Sequence, residues 1–383
     1  MKIAVIHSIY KPFFRGGAET VVATVVERLR LLKHDVSVIT LGKKEDVELL
    51  EGVRVYRLSA ENIFNYLDIN KKPFWRRIFW HIRDMFNFKQ ANKVMNIIKQ
   101  NKPDLILTHN LKGLSYILPG KLARLDVPWI HTIHDAQLIY PSGLVESRDG
   151  LVAKAYRIVC RFLFSAVKKV IFPSHYFTDL YDRHGYFDFA DKKVLGNPVD
   201  VVVKEIKFDG RIDNLVYIGQ IEEYKGILEL ITEFKKIVGD FTLHVVGEGS
   251  ASEKAKILAD DDRRIIFYGQ LTHQELEDKI WPQIDLLVNP SKTPESFGMV
   301  IIEAFAHGIP VLAANIGALP ELIKDKQMGW LFNWSKGNFG EKLNRILTSR
   351  EEINFSEDRL NEAKKFQVEN YLKAVLEFAK LNK

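Results

Sequence analysis

The first fifty positions alternate between two kinds of apolar spacing. KIAVIHS, near the amino terminus, is apolar almost throughout, as a strand buried on both faces of a parallel sheet must be. GGAETVVATVVERLRLLK follows, with a glycine pair ahead of apolar positions at helical spacing, and DVSVITL returns to a strand. Strand, helix and strand make one βαβ unit. Short strands recur at VRVYRL, PDLILTH, VPWIHTI and KKVIFPS, with helical stretches over about 91–100 and 113–124. Residues 1–196 are therefore expected to form an α/β domain with a mainly parallel sheet.

After HYFTDLYDRHG and KKVLGNPVD the pattern restarts. NLVYIGQ, FTLHVVGEG, RIIFYGQ, IDLLVNP and IPVLAA read as strands, with helices over about 226–238, up to about 259, from His273 and from about Phe297. This predicts a second doubly wound unit over 197–355. The proline in NPVD, 197–200, stops either neighbouring element and marks a hinge. The tail, 356–383, reads as one charged amphipathic helix with Tyr371, Val375 and Phe378 at helical spacing. Its apolar stripe must lie against one of the domains, the amino-terminal one being a candidate. The fold class expected is two doubly wound Rossmann-like α/β domains. Open parallel sheets bind ligands outside the carboxyl ends of their strands, so two in series would face across a cleft suited to a bisubstrate reaction.

A chain of 383 residues with 46% hydrophobic and 11% aromatic content can fill two such cores. The one cysteine, Cys160, leaves no intrachain disulfide framework and no multi-cysteine metal site, which fits a reducing compartment. The start has a single lysine before a short apolar run that breaks at His7, which reads as a buried strand and not a signal peptide. No apolar run reaches membrane-span length, so a soluble or peripheral protein is expected. The net charge of +6 is mild for this length but unevenly placed. KKPFWRRIFWHIRDMFNFK, residues 71–89, holds six Lys or Arg and six aromatics against one acid. From Phe74 to Phe88, Trp75, Ile78, Phe79, Ile82 and Phe86 recur at steps of three or four among Arg76, Arg77 and Arg83, as in an interfacial helix on an anionic membrane. A helix packed on its own domain with solvated arginines fits the same pattern. KAYRIVCRFLFSAVKK, 154–169, is a second basic apolar stretch. No nucleic-acid reader motif accompanies the charge, so no nucleic acid partner is expected.

Several residues have the placement that chemistry needs. Gly16 and Gly17 sit between the first strand and its helix, where they serve either a tight turn or the close approach of a phosphate or sugar. They form no GxGxxG fingerprint, and no GxxxxGK[ST] motif is present, so hydride transfer and P-loop chemistry lose ground. His109, His131 and His134, the last beside Asp135, fall near strand ends. Each is either satisfied locally or offers a hydrogen bond to a sugar hydroxyl or phosphate, and nothing in their spacing calls for a metal site. In the second half, Gly219 and Gln220 follow a strand and Lys225 precedes a helix, where a lysine is either solvated or placed to neutralise a diphosphate. In NPSKTPESFGMVIIEAFAHGIPVLAANIGALPELI, Ser296, Phe297 and Gly298 are expected to begin a helix whose free amides meet ligand oxygens. Glu295 lies just before it and Glu303 two turns inside it. Carboxylates are rarely buried unpaired, so the two in this apolar run either sit at an exposed edge or face a ligand with hydroxyls.

GQIEEYKG, VNPSKTPESFGMVIIEAFAHGIPVLAA, GALPEL and the amino-terminal PFFRGGAET together resemble the large retaining nucleotide-sugar glycosyltransferase family four, of the two-Rossmann-domain GT-B fold. The resemblance spans essentially the whole chain. Two glutamates separated by seven residues, set in SFG and EAFAHGIPV, are its most specific part. It implies that Glu303 holds the ribose hydroxyls of a nucleotide and that Glu295 lies near the donor sugar hydroxyls, with the following amides of Ser296, Phe297 and Gly298 on sugar and diphosphate. It implies further that Lys225 meets the diphosphate, Gly16 and Gly17 lie beneath the phosphates, and His134 contacts the transferred sugar. His134, Glu295 and Lys225 are thus the expected catalytic set. The resemblance implies transfer from a nucleotide sugar without a metal or other cofactor. The leading expectation is a hexose-like unit moved from a UDP- or GDP-sugar to a glycan or lipid-linked saccharide at the cytoplasmic membrane face, the membrane part resting on the arginine and aromatic pattern from Phe74 to Phe88. A soluble transferase for a small polyol or sugar phosphate is the alternative among enzymes. The chain departs from the family pattern at Gln220, where arginine is usual, and at Ala318, where a second glycine is usual. Losing the arginine's charge-assisted contact costs about 2 to 3 kcal/mol if nothing replaces it, roughly a hundredfold in rate. A nucleotide-sugar-binding protein without turnover is the reading that this departure raises.

Overall fold

The structure, a computed structural model, describes residues 1–14, 16–145, 150–200, 211–324, 327–348 and 357–380. The chain divides into two compact units: Met1–Pro198 with the segment from Val368 onward, and Val199–Gln367. Each is a Rossmann-like α/β domain.

The first unit holds β1 (Lys2–Ile6), β2 (Asp35–Leu41), β3 (Asp46–Leu50), β4 (Val53–Leu58), β5 (Leu105–Thr108), β6 (Trp129–Thr132), β7 (Lys169–Phe172) and β8 (Asp191–Val194). Their order in the sheet is β3-β4-β2-β1-β5-β6-β7-β8. Every neighbouring pair is parallel except β3 with β4. In the central β1, Ile3 to Ile6 are all buried, flanked by β2 and β5. That double burial is why its sequence is apolar at every position rather than at alternate ones. The edge strand β3 has no such signature, since Val47 and Leu49 are exposed, and its sequence does not announce it.

Two helical expectations in this unit are corrected. The stretch 113–124 is helical only over Leu118–Leu122, because Gly113 and Ser115 hold φ of 83° and 89°, which no right-handed helix accommodates. The helix from Phe74 ends at Met85 rather than continuing to residue 88. A new helix, Phe88–Asn101, starts after Asn87, whose side chain accepts the Gln90 N–H as an N-cap.

The second unit holds β9 (Asn214–Ile218), β10 (Thr242–Val246), β11 (Ile265–Gly269), β12 (Leu286–Asn289), β13 (Val311–Ala314) and β14 (Gly329–Phe332) in the order β11-β10-β9-β12-β13-β14. All pairs are parallel. The order reverses between β9 and β12, as it does between β1 and β5 in the first unit, and the loops leaving such neighbours diverge to opposite faces and open a crevice. The helix expected from about Phe297 starts at Met299. Gly298 takes φ 109°, ψ 58°, outside the helical region, so Ser296, Phe297 and Gly298 form a loop leading into the helix instead of its first turn. Glu303 accordingly sits about one turn in.

The tail also differs from its expectation. The 355/356 boundary lies outside the described residues. Where one helix is expected over 356–383, the chain forms Glu357–Lys365 in the second unit and Val368–Lys380 in the first. The break has a local cause. Phe366 gives its carbonyl to the Val199 N–H at 2.9 Å and packs its ring edge-on to Phe297, so that carbonyl no longer serves a helix. The second helix buries Tyr371, Leu372, Val375 and Phe378 and packs on Gly17–Leu31, joined by an Arg28–Glu369 ion pair of 2.7 Å. Lys169 reaches from β7 to its last turn and donates to the carbonyl of Phe378 at 2.7 Å, where a cation also meets the negative end of the helix dipole. Replacing Phe378 with alanine should lower the stability of the first unit by about 3 kcal/mol, read as a lower midpoint of chemical unfolding.

Candidate functional site

In the first unit polar side chains gather at the carboxyl ends of β1, β5 and β6, which are neighbours in the sheet. His7 follows β1 directly, His109 follows β5 directly, and His134 lies two residues past β6. All three are buried. His109 Nδ1 and His134 Nε2 are 2.8 Å apart, one donating to the other, with their rings 5.1 Å apart and tilted by 25°. His7 stands edge-on to both, at 5.9 and 6.3 Å between centroids. Burial, reinforced by the neighbouring imidazoles, holds the pKa of His109 and of His134 well below the ordinary histidine value, so both rings are neutral. His131 stands apart in role. It lies within β6 with Phe164 and Phe187 against its ring and Nδ1 2.9 Å from Thr108 Oγ1, and burial brings its pKa down to about 3. It is a core residue.

The glycine turn borders this cluster through Glu19. One Glu19 oxygen accepts the Gly16 N–H at 2.8 Å and the other lies 3.7 Å from His7 Nε2. Burial works to raise the pKa of this carboxyl, yet the imidazole and the amides outweigh it and hold it below the usual range. Gly16 is extended, with φ −175°, and a Cβ built there would meet nothing within 4 Å. Neither conformation nor packing requires glycine at 16. What its missing side chain leaves is open space beside the first amides of the helix Gly17–Leu31.

In the second unit the loops after β9 and β12 converge. Lys225 Nζ donates to Glu295 Oε1 at 2.8 Å, both side chains being partly buried. Burial opposes the lysine's charge, but the adjacent carboxylate prevails and raises its pKa. The segment is held from behind by Gly317, φ 63°, where a Cβ would stand 2.6 Å from the Glu295 nitrogen. Only glycine suits that approach and that φ. Ala318, where the family pattern has glycine, sits unstrained at φ −82° and donates its N–H to the Glu295 carbonyl at 3.0 Å. Gln220, just past Gly219, accepts the Tyr224 hydroxyl on its Oε1 at 3.1 Å, and its carbonyl accepts the Tyr217 hydroxyl at 2.6 Å. Phe297 is buried in the core, so only its backbone can face a ligand.

Glu303 has other neighbours. Burial raises its pKa, with His273 opposing and Glu277 adding to the shift. Its carbonyl is 2.8 Å from His307 Nδ1, while His307 Nε2 lies 3.1 Å from Glu277 and the ring stacks on Trp281. The structure thus joins Lys225 to Glu295, seats Glu303 in a separate carboxylate and histidine group, and places His134, Gly16 and Gly17 in the other unit. Sequence reading overlooked His7, Glu19, Glu277 and His307. The first two carried a signal: His7 ends the first apolar run, and Glu19 stands where a capping-box glutamate belongs. Among the described residues no three His, Cys, Asp or Glu side chains are grouped to hold a metal ion.

Known proteins match across the whole chain. The family model described as Glycosyltransferase Family 4 matches residues 15–202, and that described as Glycosyl transferases group 1 matches 212–349. An uncharacterised 42.6 kDa protein from the cps region of Klebsiella pneumoniae is 28% identical over 339 residues, 84% of this chain and 87% of that one. The alpha-monoglucosyldiacylglycerol synthase of Streptococcus pneumoniae is 25% identical, covering 99% of this chain and 85% of its own. Among solved structures, Anabaena HepE in complex with UDP and glucose superposes with a TM-score of 0.72 at 18% identity, over 98% of both chains. With two Rossmann-like units and both family models matched in succession, the chain belongs to the family-four, group 1 glycosyltransferases of the GT-B fold.

Proposed function

We propose that the protein is a retaining glycosyltransferase that moves a hexose-like unit from a UDP- or GDP-sugar to a hydroxyl of a lipid-linked saccharide at the cytoplasmic membrane face. The observation that carries this reading is the Lys225–Glu295 pair at the strand ends of the second unit. When the bond between an anomeric carbon and a diphosphate breaks, positive character grows on the carbon and negative charge on the departing oxygen. Lys225 supplies a cation for that oxygen, and Glu295 both keeps the lysine charged and offers an acceptor to sugar hydroxyls. The amides ahead of Met299–Ala306 add donors. His134, whose pKa burial holds well below the ordinary histidine value, serves as a hydroxyl partner for the sugar and leaves the diphosphate to Lys225 and the amides. Attack from the face on which the nucleotide leaves retains the anomeric configuration. HepE was crystallised with UDP, which favours a uridine nucleotide among the two.

For Glu303 we propose the ribose hydroxyls. Its raised pKa gives the sign of a pH effect: the carboxylate loses acceptor capacity as pH falls through a value above that of an ordinary glutamate. Affinity for UDP or GDP, measured by calorimetry, should therefore weaken on mild acidification, and Glu303→Ala should bind about tenfold more weakly and lose that dependence. Unchanged affinity in the variant would remove the assignment.

The acceptor reading rests on exposed apolar surface. On the helix Phe74–Met85 and just beyond it, Trp75, Ile78, Phe79, Ile82 and Phe86 are all exposed, Trp75 by 61% and Phe79 by 57%, with Arg83 among them. On Leu151–Phe164, Leu151, Val152, Ile158 and Phe162 are exposed beside Lys154 and Arg161. Apolar faces rimmed by cations suit an anionic bilayer. No described helix is long and apolar enough to cross a membrane. The streptococcal relative's name, alpha-monoglucosyldiacylglycerol synthase, includes a diacylglycerol and favours an acceptor with a lipid part. Replacing Trp75, Phe79 and Phe86 with serine should abolish sedimentation with anionic liposomes while donor turnover stays near the parent rate. A parent that fails to sediment at low salt would favour the small soluble acceptor.

Gln220 favours the second reading, a binding protein without turnover, because its neutral amide is engaged by Tyr224 where an arginine would face the diphosphate. Single-turnover transfer at saturating donor separates the two. An active parent should lose about a hundredfold or more in Lys225→Ala, and Gln220→Arg should match or exceed the parent. Equal rates in all three would end the diphosphate role of this loop. Tight donor binding without transfer in the parent and in Gln220→Arg would favour the binding protein.

A further inference from the structure

The first unit holds a cavity that none of the residues gathered at its sheet ends lines. Its volume is about 240 Å³ and its walls are Lys154, Arg157, Ile158, Arg161 and His184. The first four stand at steps of three, one and three along the helix Leu151–Phe164, which puts them on one face. His184 is the C-cap of the helix His175–Arg183. Three cations and an imidazole thus converge, with no acid among the described lining residues. The neighbouring chain shapes the recess around them. Arg157 is buried with its guanidinium 6.0 Å from the centre of the Tyr140 ring, and the same ring meets His184 edge-on at 6.3 Å. Gly185 holds φ 69°, and a Cβ there would stand 2.9 Å from Arg161 Nη1, so glycine leaves that guanidinium its place. Lys154 and Arg161 are exposed and have no ion-pair partner among the described residues.

Three permanently charged side chains in one recess call for an anion of more than one charge. A phosphomonoester carries about 1.5 to 2 negative charges at neutral pH. It also presents three terminal oxygens to the guanidinium forks and the ammonium, where a diester presents two. The surroundings indicate the source of such a phosphate. Leu151, Ile158 and Phe162 recur at steps of seven and four beside the cationic row, and all are exposed, Leu151 by 84% and Phe162 by 76%. The stretch following His184 adds Phe189, exposed by 99%. A soluble phosphate ester gains nothing from such side chains, whereas a lipid brings acyl chains to the same place.

We propose that this cavity binds the phosphate of an anionic lipid, a phosphomonoester headgroup in preference to a diester, while Leu151, Ile158 and Phe162 enter the acyl region beside it. The site gives the membrane face one defined anchor in place of diffuse charge. The inference rests on the reading that this face meets a bilayer, but recognition of the phosphate belongs to the cavity and is measured without one.

The first measurement uses the full chain and glycerol 3-phosphate, a phosphomonoester without acyl chains. Titration at low salt should shift the imidazole nitrogen signals of His184, a ring inside the cavity, to saturation. With Lys154→Gln and Arg161→Gln together, both at exposed positions, the affinity should fall about tenfold or more. No saturating shift in the parent, or unchanged affinity in the double variant, overturns the site. The second measurement is sedimentation with phosphatidylcholine vesicles that carry either phosphatidic acid or phosphatidylglycerol at equal surface charge. The parent should prefer phosphatidic acid, and the double variant should lose that preference. Lys99→Gln with Lys373→Gln removes the same charge from exposed positions of the same unit and should keep it. A preference absent from the parent, or lost equally in both double variants, overturns the lipid assignment. Should glycerol 3-phosphate bind while no anionic vesicle does, the membrane reading falls, and the lipid source falls with it, leaving a site for a soluble phosphate ester. Should vesicles bind without preference while glycerol 3-phosphate does not bind, the membrane reading stands and the cavity proposal is overturned.

Discussion

A strand covered on both faces has nowhere to put a polar side chain except beyond its end. That constraint governs both units. β1 is buried from Ile3 to Ile6 and meets its first polar side chain at His7, and β5 gives way to His109 in the same manner. Because β1, β5 and β6 are neighbours, their ends are neighbours too, and three histidines distant in sequence become a cluster without any loop having to travel. The second unit repeats the logic with different chemistry. The loops after β9 and β12 leave adjacent strands, so Lys225 and Glu295, seventy positions apart, meet at 2.8 Å. The sheet order creates the site, and the residue types then decide its character.

Those characters are complementary. Burial lowers the pKa of His109 and His134 in the first unit, while the second unit keeps a cation by pairing it. Burial alone works to lower the lysine's pKa, and Glu295 outweighs it. The pair also bears on Gln220. The loop keeps one ammonium already fixed in place beside Glu295, so under the proposed diphosphate role a phosphate would exchange one anionic partner for another rather than order a free side chain. The glutamine, held by Tyr224 and Tyr217 through its side chain and carbonyl, contributes a rigid loop in place of charge.

How much of this could be read from the sequence differed by kind of residue. The two doubly wound sheets were legible because nearly every central strand is a continuous apolar run. The strands β3, β8 and β14 were not, being edges or half-exposed, with no contrast between faces to detect. Helix limits failed where backbone conformation overrode composition, at Gly113 and Ser115 and again at Gly298. Of the candidate residues, Lys225 and Glu295 stand together, whereas Glu303 keeps company with His307, one turn on, and with Glu277, which periodicity could not foretell because that contact crosses between helices. The pairing of His109 with His134 was equally hidden, since two histidines near strand ends say nothing about the angle between their rings.

The return of Val368–Lys380 to the first unit makes the second an insertion within it. On a ribosome, the amino-terminal sheet is complete as soon as β8 has emerged, but the apolar stripe of Gly17–Leu31 that this last helix covers must wait until the whole of Val199–Gln367 has been made. At typical elongation rates that interval is on the order of ten seconds or more, during which the helix Gly17–Leu31 lacks part of its cover. The nascent chain is thus most in need of a holding chaperone well after its first unit looks finished, and loss of the final helix would leave that need permanent.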